Sequence, residues 1–238
     1  MGPRGSSARG GRGTIEWSCT DIERGPMDES KLAAYRATAA TVIKNLNRRN
    51  MEGYYCDTAE EAVELVCGMI PAGDSVTWGG SMTFAESGMR AALEAGSWKL
   101  LDRATAHTPE ERREMWRDRA SADWFFMSTN ALTVGGELVN IDGNGDRLAC
   151  LVHGPAHVVV LAGMNKLVAD VDAGIKRIRT VTCPMNAARL HTETPCETHG
   201  ICGNCHAERC MCCETVITRH SRHDGRIKVV LIGQDLGY

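Results

Sequence analysis

The chain has 238 residues, 43% of them hydrophobic and 24% charged, enough for one large α/β domain or two small ones with a substantial core. A formal net charge of -3 and only 5% aromatic residues argue against a nucleic-acid or membrane-surface partner and against a base-stacking platform. No apolar run approaches the roughly 20 residues that span a bilayer, and no signal peptide is read, so the expected setting is the cytoplasm without membrane insertion.

Residues 1–26 are rich in Gly, Arg and Ser without periodicity and read as a disordered tail. The folded domain is expected over residues 27–238. It begins with a helix, in which Leu32, Tyr35, Ala39, Val42, Ile43 and Leu46 share one face. A short strand at 53–56 comes next, then a capping box, Thr58 to Glu61, opening a helix. Residues 75–78 read as a strand, and Gly79-Gly80-Ser81 turns it into a helix through about residue 95. After a short strand at 98–101, Thr108-Pro109-Glu110-Glu111 opens another helix with a capping box and Pro at the first position. Residues 123–128 read as an apolar strand. Residues 137–141 and 147–152 read as a hairpin around Asp142-Gly-Asn-Gly-Asp146. Residues 157–162 are a doubly buried strand, with a helix from about 168 to 179. The chain ends in a second hairpin, 215–220 and 227–232, about His223-Asp224-Gly225. Strands alternating with helices predict an α/β fold with a mostly parallel sheet flanked by helices.

Three polar loops come directly after predicted strands, where open α/β sheets bind ligands. In the first, Gly79, Gly80, Ser81 and Thr83 suit an anion held by backbone amides and hydroxyls. In the second, Asn130 and Asn140 offer hydrogen bonds, and Glu137 and Asp142 are the acid–base candidates. In the third, Asn165 and Lys166 suit a carboxylate or phosphate.

Seven of the eleven cysteines fall in a cysteine-rich segment, 183–213. Reduced cytosolic thiols are not a disulfide framework. Cys196-x5-Cys202-x2-Cys205, with Cys210, Cys212 and Cys213 after it, packs six soft ligands into a short span, with Gly200 and Gly203 for tight turns. That pattern means a metal, zinc or iron–sulfur equally by spacing, with His199 and His206 as substitute ligands.

These motifs together resemble the lactate-utilization (LUD) family of the LutC/YkgG type. The matching stretches are Trp78-Gly79-Gly80-Ser81-Met82-Thr83, Asn130-Ala131-Leu132-Thr133, Gly136 through Arg147, Gly163-Met164-Asn165-Lys166, and Pro184 through Leu190. The resemblance implies a NagB/RpiA/CoA-transferase-like fold and a component of iron–sulfur-dependent oxidation of lactate to pyruvate. A family subset carries a C-terminal cysteine motif that this chain matches through Cys205. Beyond it, Cys212 keeps the family's distance from Cys205. The resemblance therefore implies Cys196, Cys202, Cys205 and Cys212 as ligands of a cluster, most simply 4Fe-4S, with zinc as the alternative. It also implies a small anionic metabolite as ligand, with redox protein subunits or a homo-oligomer as partners. Two other readings stand beside it. One is an isomerase or acyl transferase acting on a small phosphorylated or carboxylated substrate. The other is a zinc-stabilised, non-catalytic subunit.

Overall fold

A computed structural model describes residues 28–238 of the chain. The tail expected at 1–26 lies outside the described residues. Helix α1 (Glu29–Arg48) is capped by the Asp28 carboxylate and buries Ala39, Val42 and Leu46 from the predicted stripe. Strand β1 (Glu52–Cys56) and helix α2 (Ala59–Cys67) come next. Thr58 caps α2, but the Glu61 carboxylate accepts from the Asp57 amide, one residue before the cap, so the box is displaced by one position.

Strand β2 (Ser75–Trp78) leads into α3 (Met82–Glu86) and α4 (Met89–Ala95). The single helix expected there is broken because Gly88 takes φ 77, a left-handed conformation that interrupts the turn. Strand β3 (Lys99–Leu101) precedes α5 (Pro109–Ala120), where the reciprocal Thr108–Glu111 capping box is complete. Strands β4 (Trp124–Met127), β5 (Ala131–Thr133) and β6 (Leu138–Asp142) succeed it.

The hairpin expected around residues 142–146 does not form. Residues Asp146–Val152 are a helix, α6, that buries Leu148, Cys150 and Leu151 against the core. Here the helical period overrides the Asp-Gly-Asn-Gly turn signal. The antiparallel hairpin lies one step earlier, between β5 and β6. Strand β7 (His157–Gly163) runs through a short turn into β8 (Leu167–Val168). Helices α7 (Val171–Arg177) and α8 (Cys183–Leu190) are joined by a π-helical turn, Ile178–Thr182. Helix α9 (Pro195–His199) and strands β9 (Glu214–Thr218) and β10 (Ile227–Ile232) complete the fold.

Six parallel strands form one sheet in the order β1-β10-β7-β4-β2-β3. A smaller sheet has the order β8-β5-β6-β9. The C-terminal hairpin is therefore also corrected, because β9 and β10 belong to different sheets. All six residues of β10, Ile-Lys-Val-Val-Leu-Ile, are buried. Only a central place in the parallel sheet, between β1 and β7, covers both of its faces. The half-exposed β9 pairs with β6 instead.

Side chains of β7 alternate between two cores. Val158, Val160 and Ala162 pack with α1 and α6, whereas Val159 and Leu161 pack with α2, α3 and α4. Each fully buried Val or Leu contributes about 1.5–3 kcal/mol, which fixes the strand register and with it the loops at the strand ends. Among the described residues, no helix is long and apolar enough to cross a membrane.

Candidate functional site

The loops after β2, β4 and β7 leave the C-terminal ends of neighbouring parallel strands and enter one cleft of about 480 Å³. Gly80, Ser81, Ser128, Asn130 and Lys166 line one side. The opposite side is built by the start of α8 and the cysteine segment.

Arg147 ties the loops together. Its Nη1 donates to the Ser128 carbonyl at 3.0 Å and to Asn140 Oδ1 at 2.6 Å. Its Nη2 donates to Asn130 Oδ1 and to the Ile141 carbonyl, both at 3.0 Å. Asp142 Oδ2 lies 3.5 Å from Arg147 Nε, an ionic contact without hydrogen-bond geometry. Asn130 and Asn140 are thereby consumed in cross-bracing. Asn130 Oδ1 also accepts from the Ile141 amide, and Asn140 Oδ1 from the Asn130 amide. The Nδ2 of the buried Asn140 has no partner among the described residues. Arg177 braces the next layer, donating to the Asn165 and Asn130 carbonyls and to Thr182 Oγ1.

Lys166 is 3% exposed. Its Nζ donates to Ser128 Oγ at 3.0 Å and to the Tyr238 main-chain oxygen at 3.3 Å, so that among the described residues one of its three donors is unused. Burial, then the positive charges of Arg177 and Arg147, push its pKa down to about 7. Ser81 caps α3 by accepting from the Phe84 amide and keeps its own proton to donate.

The other sequence candidates lie apart from this cleft. Glu137 is ion-paired with Arg49 and accepts from the Thr133 hydroxyl, so it locks the β5–β6 turn onto α1. In that turn Gly136 takes φ +89, and a Cβ there would stand 3.1 Å from the Leu46 amide nitrogen of α1. Thr83 is buried and donates to the Leu236 carbonyl. Asn165 bonds Leu236 and Gly237, so both residues hold the C-terminal segment. Gly79 is buried and donates its amide to the Phe126 carbonyl.

Six cysteines line the cleft: Cys183, Cys196, Cys202, Cys205, Cys210 and Cys212. None of the described cysteines is in a disulfide. The thiol sulfurs of Cys183, Cys202 and Cys212 lie within 4.8 Å of one another, with Cys183 and Cys212 at 3.2 Å. The Cys202 amide donates to the Arg179 carbonyl and the Cys213 amide to the Asp142 carbonyl. These bonds fasten the segment to the π-helical turn and to β6. The Cys183 hydrogen bond, then burial, then the Cys183 charge, raise the Cys212 thiol far above its ordinary value, and the Cys205 charge adds to this. Cys196 is buried against the Thr194 hydroxyl and stands outside the compact trio. Soft, unlinked thiols converging on one point fit a thiolate-bound metal. Cys183 is the member of this trio that spacing misses. Its only local signals are the Cys-Pro step opening α8 and the π-helical turn before it, a feature frequent at functional sites.

A family model described as the LUD domain matches residues 39–232. No curated protein matches the chain. Among solved structures, a DUF162 family protein from Deinococcus radiodurans is similar at 13% identity and a TM-score of 0.46, over 87% of this chain and 99% of that one. The eIF2B delta subunit of Chaetomium thermophilum is similar at 20% identity and a TM-score of 0.32, over 47% of this chain and 48% of that one.

Proposed function

The chain belongs to the LUD domain family, and from that membership we propose that it serves lactate utilization by holding an iron–sulfur cluster and a small 2-hydroxy or 2-oxo acid in one cleft. The observation that carries this reading is the shared cleft. Lys166 and Ser128 line the same cavity as six thiols. Cys183, Cys202 and Cys212 are the ligands of first choice. Cys205, which lines the same cleft, is the fourth. When bound, such a cluster accepts and passes single electrons. The chain's own groups do the rest. Protonated Lys166 holds the carboxylate, Ser128 aims the ammonium, Ser81 donates a hydroxyl, and Arg147 fixes the loops that carry them. Redox partner subunits take the electrons onward, and the setting is the cytoplasm.

A second reading is favoured by the compactness of the trio. Sulfurs within 4.8 Å of one another suit a single tetrahedral zinc, with Zn–S near 2.3 Å. Anaerobic purification with iron, zinc and acid-labile sulfide analysis separates the two. The iron–sulfur reading predicts a brown protein with iron and sulfide in equal amounts. Colourless protein with one zinc per chain and no iron overturns it.

Lys166 gives the anion site a pH signature. Its depressed pKa of about 7 in the folded protein means the amine is charged below that pH and neutral above it. Only the charged form holds a carboxylate as an ion pair. Pyruvate affinity is therefore expected to fall by up to about tenfold per pH unit as pH rises beyond roughly 7. In Lys166→Met the affinity is expected to be weak and flat with pH. Calorimetric titrations between pH 6 and 9 check this, and a flat wild-type profile contradicts it.

A further inference from the structure

Beside the thiol-lined cleft lies a second one, about 740 Å³, which shares Gly80, Ser81, Arg103 and Asp146 with it. Its outer wall is α5. Arg112, Met115, Trp116 and Arg119 succeed one another there at helical i, i+3, i+4, i+7 spacing, so a single face of α5 lines the cleft. Arg119 is only 3% exposed. Its guanidinium donates to Thr77 Oγ1 at 2.9 Å and to the Trp78 carbonyl at 3.1 Å, both neutral acceptors.

Among the described residues, Arg103, Arg112 and Arg119 form no ion pair, whereas Arg90 of the same cleft is neutralised by Glu94 and Asp102. Asp102 and Asp146 are the carboxylates that line this cleft, against four arginines, so the lining is net positive. A buried guanidinium without an anionic partner is costly, and an incoming anion relieves that cost. The α5 wall also has an apolar, flat component in Met115 and Trp116. Trp116 is half-buried, with the Arg119 guanidinium 5.9 Å from its ring centre.

We propose that this second cleft binds a nucleoside diphosphate, with the phosphates on Arg103, Arg112 and Arg119 and the base against Met115 and Trp116. Planar guanidinium groups take phosphate oxygens in pairs, and an indole suits a planar base. Arg103 stands where the two clefts meet, and a Cβ on residue 80 would lie 3.1 Å from its Nη2. Phosphates there lie next to the carboxylate site. The proposal does not depend on the metal or on lactate.

The test titrates ADP, adenosine and pyrophosphate into the full chain, read by calorimetry and by tryptophan fluorescence. ADP is expected to bind saturably at one site and quench fluorescence, adenosine not to bind, and pyrophosphate to bind more weakly than ADP. Arg103 and Arg112 are exposed, so Arg103→Gln and Arg112→Gln leave the core intact. Each is expected to weaken ADP by about tenfold or more, the loss of one charge-assisted contact. Unchanged thermal melts verify that the variants fold. ADP binding is expected to persist in Cys202→Ser, which separates this proposal from the reading of the thiol site. Absence of ADP binding, equal binding of adenosine, pyrophosphate as tight as ADP, or unaltered affinity in both arginine variants overturns it.

Discussion

Arg147→Met is expected to destabilise the fold by about 3–5 kcal/mol and to abolish carboxylate binding. The guanidinium joins the loop after β4 to β6 through four hydrogen bonds and to Asp142 through an ionic contact. Methionine replaces the stem but none of these donors. Asn130 Oδ1 and Asn140 Oδ1 then lose a charged partner, and the part-buried carbonyls of Ser128 and Ile141 lose a donor. Each unsatisfied buried acceptor costs about 1–3 kcal/mol before relaxation. Burial already pushes the Arg147 pKa down, which is the sign of a charge held at a desolvation cost for the sake of its contacts. Urea unfolding measures the effect. A loss below about 1 kcal/mol would mean that these bonds are replaceable by water.

The second large effect concerns the thiols. Cys183→Ser is expected to reduce bound metal at least as severely as Cys202→Ser or Cys212→Ser, to well under half of the wild-type content. Cys213→Ser is expected to leave it unchanged. Cys213 is exposed and lies outside the cleft lining, whereas Cys183 is buried against Cys212. Because thiolates rather than thiols bind metal, the raised Cys212 thiol also makes metal uptake weaker as pH falls. Metal analysis of the four variants, purified side by side without oxygen, gives the comparison. Full metal content in Cys183→Ser removes that residue from the ligand set.

Local signals are the most legible part of the fold. The Thr108 capping box is present as read, and the continuous apolar run of β7 sits at the centre of a parallel sheet. Pairing is less legible. Asp142-Gly-Asn-Gly-Asp146 has the chemistry of a hairpin turn, yet it opens the helix α6, because Leu148 and Leu151 find a core under α1. The turn at Gly225 exists, with φ +67, but the strands on either side of it part to different sheets. No local pattern shows which sheet a strand joins.

The candidate site divides along the same line. Ser81, Asn130 and Lys166 come together because parallel strands deliver their C-terminal loops to one edge, a rule that can be applied from sequence. Glu137 does not join them, since its partner Arg49 comes from the end of a helix far back in the chain. Cys183 is absent from the sequence-derived ligand set for the opposite reason. It is too distant in sequence from Cys202 for any short motif, and the fold alone closes the gap. Arg147 and Arg177 carry no spacing signal either, because their partners are mostly carbonyls and amide side chains.

If the metal centre and the carboxylate site share one cleft, a ligand at one must be felt at the other. The most direct measurement is the spectrum of the reduced, metal-loaded protein, by electron paramagnetic resonance, with and without saturating pyruvate. Pyruvate is predicted to shift the cluster signal in the wild type and to leave it unmoved in Lys166→Met. A signal that stays the same in the wild type, while calorimetry shows pyruvate bound, would contradict the shared cleft.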